Sequence, residues 1–259
     1  MIVDLHNHTT LCKHAEGSMK DYVEKAIENQ TKYFGFSDHA PMDFDQKYRM
    51  QFSQMREYEA SVREIKDIYK DDIEILLAYE VDYLKGYIDK RVLDAKVDYF
   101  IGSVHFIGKW GFDNPEFIGN YKNKDIDKIW QEYFDSIEEL AKSGLFDIVG
   151  HLDLIKIFNF LPKKDVRIIA QGALKAIKKA NMTVELNMSG YRKETKEAYP
   201  SKSLIESMFE LQIPITFSSD SHKPSQVGLY SDKLLTLARE TGYNKCAVFK
   251  GRDRQLIKF

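Results

Sequence analysis

Six of the seven histidines fall in short polar motifs that close apolar runs: D-L-H-N-H at 4–8, S-D-H at 37–39, S-V-H-F at 103–106, G-H-L-D at 150–153 and S-S-D-S-H at 218–222. Another apolar run, I-L-L-A, closes on Tyr79-Glu80. Imidazole with carboxylate and no thiolate is a donor set for Zn, Mn, Fe or Co rather than for a structural zinc finger or a magnesium site. His6, His8, His39, Glu80, His105, His151, Asp220 and His222 are more donors than one ion uses beside a substrate, so several ions are expected. His14, in the loop after the first run, is a further candidate, whereas Cys12 beside it reads as a small buried hydrophobe. Glu80 and Asp220 are the natural bridges, because a carboxylate has two oxygens to offer and a neutral imidazole one nitrogen. Ions about 3.5–4 Å apart activate water at neutral pH and clamp phosphoryl oxygens.

Positive charge is available near the same place. The segment E-L-N-M-S-G-Y-R-K at 185–193 ends an apolar run without a histidine, but its glycine turn carries Ser189, Arg192 and Lys193. A guanidinium beside a metal cluster suits two-point binding of a phosphate dianion, which makes Arg192 the leading phosphate ligand. Lys156, five residues beyond His151, is a second candidate, with a surface helix residue as its alternative reading. Asp113, Glu116 and Asp153 are acidic loop residues that could meet an ammonium on a substrate. There is no Walker A pattern and no G-x-G-x-x-G, which disfavours an NTPase or a dehydrogenase.

Elements must deliver these residues to one place. Strands are expected at Ile2–Leu5, Tyr33–Ser37, Ile73–Tyr79, Val97–Val104, Phe146–Gly150, Met182–Asn187 and Ile213–Ser219, each followed by a stretch of helical period. The helices are expected to begin near Ser18, Ser53, Tyr87, Asp125, Lys164, Ser201 and Pro224. Alternation of this kind gives a parallel sheet. An open sheet gathers its functional residues at one crevice, whereas a barrel draws them from the C-terminal ends of many strands. Here they are spread over almost every strand, which favours a closed α/β barrel. Tyr33, Phe34, Phe36, Tyr99 and Phe100 are expected to be core or barrel packing.

The length of 259 residues, with 43% hydrophobic and 30% charged, suits one barrel domain over 1–259 and excludes disorder. Thirty-eight Lys+Arg against 40 Asp+Glu leave a net charge of -2, so no global field draws the chain onto nucleic acid or lipid. Two cysteines cannot build a disulfide framework, and the start M-I-V-D-L-H-N-H lacks the pattern of a signal peptide. No apolar run reaches the roughly 18–20 residues of a membrane span. A reducing cytoplasm is the expected compartment.

Taken together, D-L-H-N-H, S-D-H, Tyr79-Glu80, S-V-H-F, G-H-L-D and S-S-D-S-H resemble the PHP (polymerase and histidinol phosphatase) family from Met1 to about Gln226. The resemblance implies a distorted (βα)7 barrel holding three divalent transition-metal ions. Carried over residue by residue, it assigns His6, His8, Glu80 and Asp220 to one ion, Glu80, His105 and His151 to a second, and His14, His39 and His222 to a third. S-V-H-F followed by W-G-F-D, and E-L-N-M-S-G-Y-R-K with Y-P-S at 199–201, look most like the monofunctional histidinol-phosphate phosphatases. That implies hydrolysis of L-histidinol phosphate in histidine biosynthesis, with Arg192 on phosphate. Asp220 is the expected acceptor of the water proton. Two rival readings are a relative acting on phosphotyrosine or nucleotides and a non-catalytic metal-binding scaffold. The expected partner is a small phosphomonoester, not nucleic acid or a membrane.

Overall fold

The computed structural model describes residues 1–259. Seven parallel strands, β1 (Val3–Asp4), β2 (Tyr33–His39), β3 (Glu74–Asp82), β4 (Tyr99–Ser103), β5 (Ile148–Val149), β6 (Thr183–Asn187) and β7 (Ile215–Ser218), pair in sequence order. Leu5 N donates to Phe217 O at 3.0 Å and His8 N to Ser221 O at 3.0 Å, so β7 returns to the chain just past β1 and the sheet closes as a distorted barrel. β2 and β3 are buried along almost their whole length, as strands covered on both faces must be.

Eight helices lie outside the sheet: α1 (Met19–Glu28), α2 (Met55–Ile68), α3 (Lys90–Leu93), α4 (Ile126–Ser143), α5 (Val166–Ile169), α6 (Gln171–Lys179), α7 (Lys202–Glu210) and α8 (Ser231–Thr241). Ser18 and Asp21 form a reciprocal capping box at the start of α1, and Asp125 caps α4 through Lys128 N. All seven expected strands are present, each shifted by a few residues at most. The helix expected near Tyr87 begins at Lys90 behind an Asp89 cap, and that near Pro224 is a single 3-10 turn before α8. None of the helices is long and apolar enough to cross a membrane.

Two antiparallel hairpins were not anticipated. One, Phe106–Ile107 with Trp110–Gly111, follows His105 at the mouth. The other pairs β8 (Lys245–Lys250) with β9 (Asp253–Lys258), and its turn grips residues that precede β4 and β5. Gly251 N donates to Asp98 Oδ1 at 3.1 Å and Arg252 Nε to Asp147 Oδ2 at 2.9 Å. The hairpin thus covers the end of the barrel opposite the histidines.

Tyr99 and Gly35 show how the interior is filled. The fully buried Tyr99 ring crosses the barrel to donate its hydroxyl to Leu5 O at 2.5 Å. A Cβ on Gly35 of β2 would overlap that hydroxyl and approach Leu5 O to 3.0 Å. Only glycine leaves Tyr99 its place. Gly35→Ala is therefore expected to destabilise the protein by about 1–3 kcal/mol, an overpacking cost, and to lower Tm by a few degrees in a thermal melt.

Candidate metal centre

At the C-terminal ends of the strands, side-chain alternation decides what enters the barrel. His6 and His8 follow β1 with their ring centroids 5.0 Å apart, while Asn7 between them turns outward to donate to Gly35 O at 3.2 Å and to accept from Ser221 Oγ. Asp220, after β7, sits at φ 49°, a left-handed conformation that aspartate tolerates better than most residues. The preceding turn is pinned by the fully buried Asp4, which accepts from Ser219 N at 2.8 Å and Ser219 Oγ at 2.5 Å.

Glu80, at the inner end of β3, is the hub. Its Oε2 lies 2.8 Å from His39 Nδ1 and 3.3 Å from His6 Nε2, and its Oε1 lies 3.0 Å from His151 Nε2 and 3.7 Å from His105 Nε2. Asp220 Oδ1 is 3.2 Å from His8 Nε2, and its Oδ2 accepts from Asn187 Nδ2 and Ser189 Oγ. Four clusters offer ligand atoms within 4.8 Å of one another: His6, His8 and Glu80; Glu80, His105 and His151; His14, His39 and His222; and His8, Cys12 and His222. The clustering leaves His6 Nε2, His8 Nε2, His39 Nδ1, His151 Nδ1 and Glu80 Oε2 buried without a hydrogen-bond partner. Unpaired buried polar atoms of this number are costly, and a cation among them relieves the cost. The donor set fits divalent metal.

An outer layer of acceptors aims the rings. His6 Nδ1 meets Glu185 Oε2 at 2.9 Å, His105 Nδ1 meets Asp82 Oδ1 at 2.6 Å, and His8 Nδ1 meets Asp38 Oδ1 at 3.4 Å. His14 and His222 hold backbone carbonyls through Nδ1, at Cys12 O and Asp220 O. With Nδ1 engaged, each of these rings is left its Nε2 for a metal. Asp38, Asp82 and Glu185 were not singled out from the sequence; only Asp38, beside His39, shares a strand end with a histidine, while Asp82 and Glu185 lie on β3 and β6, which carry none.

Electrostatics follow the same geometry. Burial works against the cations of His8 and His105, but Asp220 and Asp38 raise His8 to about 9, and Asp82 and Glu80 raise His105 to about 10. Burial likewise opposes the His6 cation, yet Glu185 and Glu80 lift its pKa well above the ordinary value. The ring of His39 goes the other way, to about 4, because burial and the neighbouring His8 outweigh Glu80. Burial disfavours the Glu80 carboxylate, and His6, His39 and His105 nonetheless hold it well below the usual range.

A cavity of about 530 Å³ opens over these groups and is also lined by Arg49, Asp113, Phe117, Ser189, Arg192 and Lys193. Arg192 Nη2 donates to Ser219 O at 2.9 Å and Asp220 O at 2.8 Å, which leaves its Nη1 buried and without a partner. Lys193 is an exposed residue at the rim. Ser189 lines the cavity, but its hydroxyl is used on Asp220. Lys156 corrects both of its readings, since it is neither on the surface nor among the cavity-lining residues. It is 2% exposed, and its ammonium is taken up by Asp153, Glu197 and Ala198 O. Of the acidic loop residues only Asp113 lines the cavity; Glu116 pairs outside with Lys47, and Asp153 is buried against Lys156. Cys12 is fully buried, and burial pushes its thiol well above the ordinary value, as expected of a small hydrophobe.

A seven-stranded barrel with a histidine-and-carboxylate cradle at its C-terminal mouth is the architecture of a PHP metallo-domain. The PHP domain profile matches residues 4–189, and the chain belongs to the PHP domain family. It is 34% identical to a "Probable histidinol-phosphatase" of Deinococcus radiodurans, over 98% of each chain. It is 26% identical to the "Histidinol-phosphatase" of Bacillus subtilis, over 87% of this chain and 95% of that one. The fold is shared with a histidinol phosphate phosphatase of Lactococcus lactis, solved with zinc, L-histidinol and phosphate, at a TM-score of 0.81, 23% identity and 98% coverage of both chains.

With pKa values raised to about 9 and about 10, His8 and His105 are expected to carry protons at pH 7 in the metal-free protein, and a metal bound there would displace them. Titrating metal-free protein with zinc at pH 7 in a pH-stat should release at least two protons per chain. Release should shrink as the starting pH approaches about 10, where His8 is already largely neutral and His105 about half so.

Proposed function

We infer that this protein is a metal-dependent histidinol-phosphatase, releasing phosphate from L-histidinol phosphate. The observation that carries the reading is the make-up of one cavity: Glu80, His105, His151 and Asp220 of the cradle line it together with Arg192 and Asp113. Asp113 is half-buried, and burial raises its pKa above the ordinary carboxylate value, with His105 opposing. A phosphomonoester with a cationic body matches these poles, the dianion toward metal and Arg192, the cation toward Asp113. Relatives bearing the name histidinol-phosphatase along nearly the whole chain support the same substrate.

The proposed cofactor is three divalent ions. His6, His8, Glu80 and Asp220 hold one, Glu80, His105 and His151 a second, and His14, His39 and His222 a third, a division supported by three of the four ligand clusters and by Asp220 Oδ1 lying 3.2 Å from His8 Nε2. When bound, the ions supply Lewis acidity, which activates water at neutral pH and neutralises charge on phosphoryl oxygens. Arg192 orients the phosphate while its Nη2 stays fixed on the β7 turn. Asp220 takes the proton of the attacking water. Its carboxylate is disfavoured by burial but kept ionised by His6 and His8, and Ser189 and Asn187 fix its outer oxygen. Lys193 adds charge at the rim. Residues 1–259 act as one catalytic domain, since a single apolar cluster runs from Val3 to Phe249.

In a phosphate-release panel on metal-loaded enzyme, kcat/KM for histidinol phosphate should exceed that for phosphotyrosine and nucleotides, and a chelator should abolish all activity. A higher kcat/KM for phosphotyrosine would overturn the substrate, and no hydrolysis of any ester would leave a metal-binding scaffold.

Arg192→Ala should lower kcat/KM by about 10² to 10³, the loss of one charge-assisted contact worth roughly 2–4 kcal/mol, and leave metal content unchanged in elemental analysis. Lys at 192 should restore only part, because an ammonium lacks the planar fork.

A further inference from the structure

The loop that carries Arg192 is fastened at its neck by a buried cation outside the cavity. Residues 188–201 leave β6 through the 3-10 turn Ser189–Arg192 and return so that Asn187 and Tyr199 exchange backbone hydrogen bonds of 2.7 and 3.0 Å. Beside this neck lies Lys156, in the short 3-10 turn Leu154–Lys156 after β5. Its Nζ donates to Ala198 O at 2.7 Å and sits 3.0 Å from Asp153 Oδ2 and 3.1 Å from Glu197 Oε2. Asp153, with no exposed surface, accepts Ser201 N at 2.9 Å on the same Oδ2. The Lys156 ammonium also lies 5.3 Å from the centroid of the Tyr199 ring. Apart from the Asp153–Lys156 pair itself, these contacts fall on the returning limb, 197–201.

A buried ion pair adds little net stability, because desolvation cancels much of its attraction. What it fixes is geometry. The limb it holds is the one on which the Arg192 turn rests: a Cβ on Gly190 would overlap Glu197 O, so the two limbs are in backbone contact. Arg192 in turn spans to the β7 loop, through Ser219 O and Asp220 O, and lines the cavity with its Nη1 buried and unpartnered, so its placement depends on how the loop sits. A misplacement of about 1 Å at such a group costs on the order of 10² in rate.

We propose that Asp153 and Lys156 are a positioning pair for the phosphate-binding loop, acting on Arg192 through the contact between Glu197 and Gly190. The inference rests on the assignment of Arg192 to phosphate. Its test is a double-mutant cycle read as inhibition of the metal-loaded enzyme by inorganic phosphate. Lys156→Met should raise the inhibition constant about tenfold with metal content unchanged, and in an Arg192→Ala background it should add less than about twofold. A side chain that merely supports the fold would not show this dependence on Arg192. Equal effects in both backgrounds, no effect in either, or loss of metal on Lys156→Met would overturn the proposal. Asp153→Asn, which keeps the shape and removes the anion, runs through the same cycle if Lys156→Met does not fold. If Arg192→Ala alone leaves phosphate inhibition unchanged, the assignment of Arg192 falls and takes this inference with it; additive effects overturn the positioning role alone.

Discussion

One buried carboxylate, Glu80, faces imidazoles from four other strand ends, and the rest of the site is arranged around that fact. Its two oxygens divide the rings into two groups, His6 and His39 on Oε2, His105 and His151 on Oε1. Side chains of this kind are placed in a barrel interior only at a cost, since each loses water and several have no protein partner. Cations among them turn the cost into binding energy. The outer carboxylates Asp38, Asp82 and Glu185 then have a clear part: they hold the rings by Nδ1, so that the metal-facing nitrogens stay aimed when the site is empty.

The barrel makes this convergence cheap. Parallel strands deliver their ends to one mouth, and side-chain alternation lets His6 and His8 enter while Asn7 ties the neighbouring strands. Opposite the mouth, the β8–β9 hairpin covers the other end through Asp98 and Asp147, so the interior is sealed where no chemistry occurs. The cavity inherits two poles from loop residues. Arg192 comes from the β6 loop, and Asp113 follows the small hairpin after His105.

Much of this was legible in the sequence because the functional residues mark the strand ends. A histidine or glutamate closing an apolar run gives both the boundary of the element and the direction of the barrel mouth, as at Tyr79-Glu80 and Gly150-His151. The outer acceptors were less legible. Asp82 is one of many acids, and only register places its carboxylate on His105 rather than in solvent. Lys156 was misread for the same reason: its position after His151 is visible, but the partners that turn it inward, Asp153, Glu197 and Ala198, come together only when two loops pack. The β8–β9 hairpin joins two antiparallel strands with no helix between them, so the βα rhythm that located the other strands gave no signal there.

The central proposal is that Glu80 would bridge two ions, one on each oxygen. Anomalous diffraction at the zinc edge from zinc-loaded crystals tests it most directly. The account predicts two peaks flanking the Glu80 carboxylate, one among His6, His8 and Asp220 and one between His105 and His151. A single peak beside Glu80, or peaks that leave one of its oxygens without a metal, would contradict it.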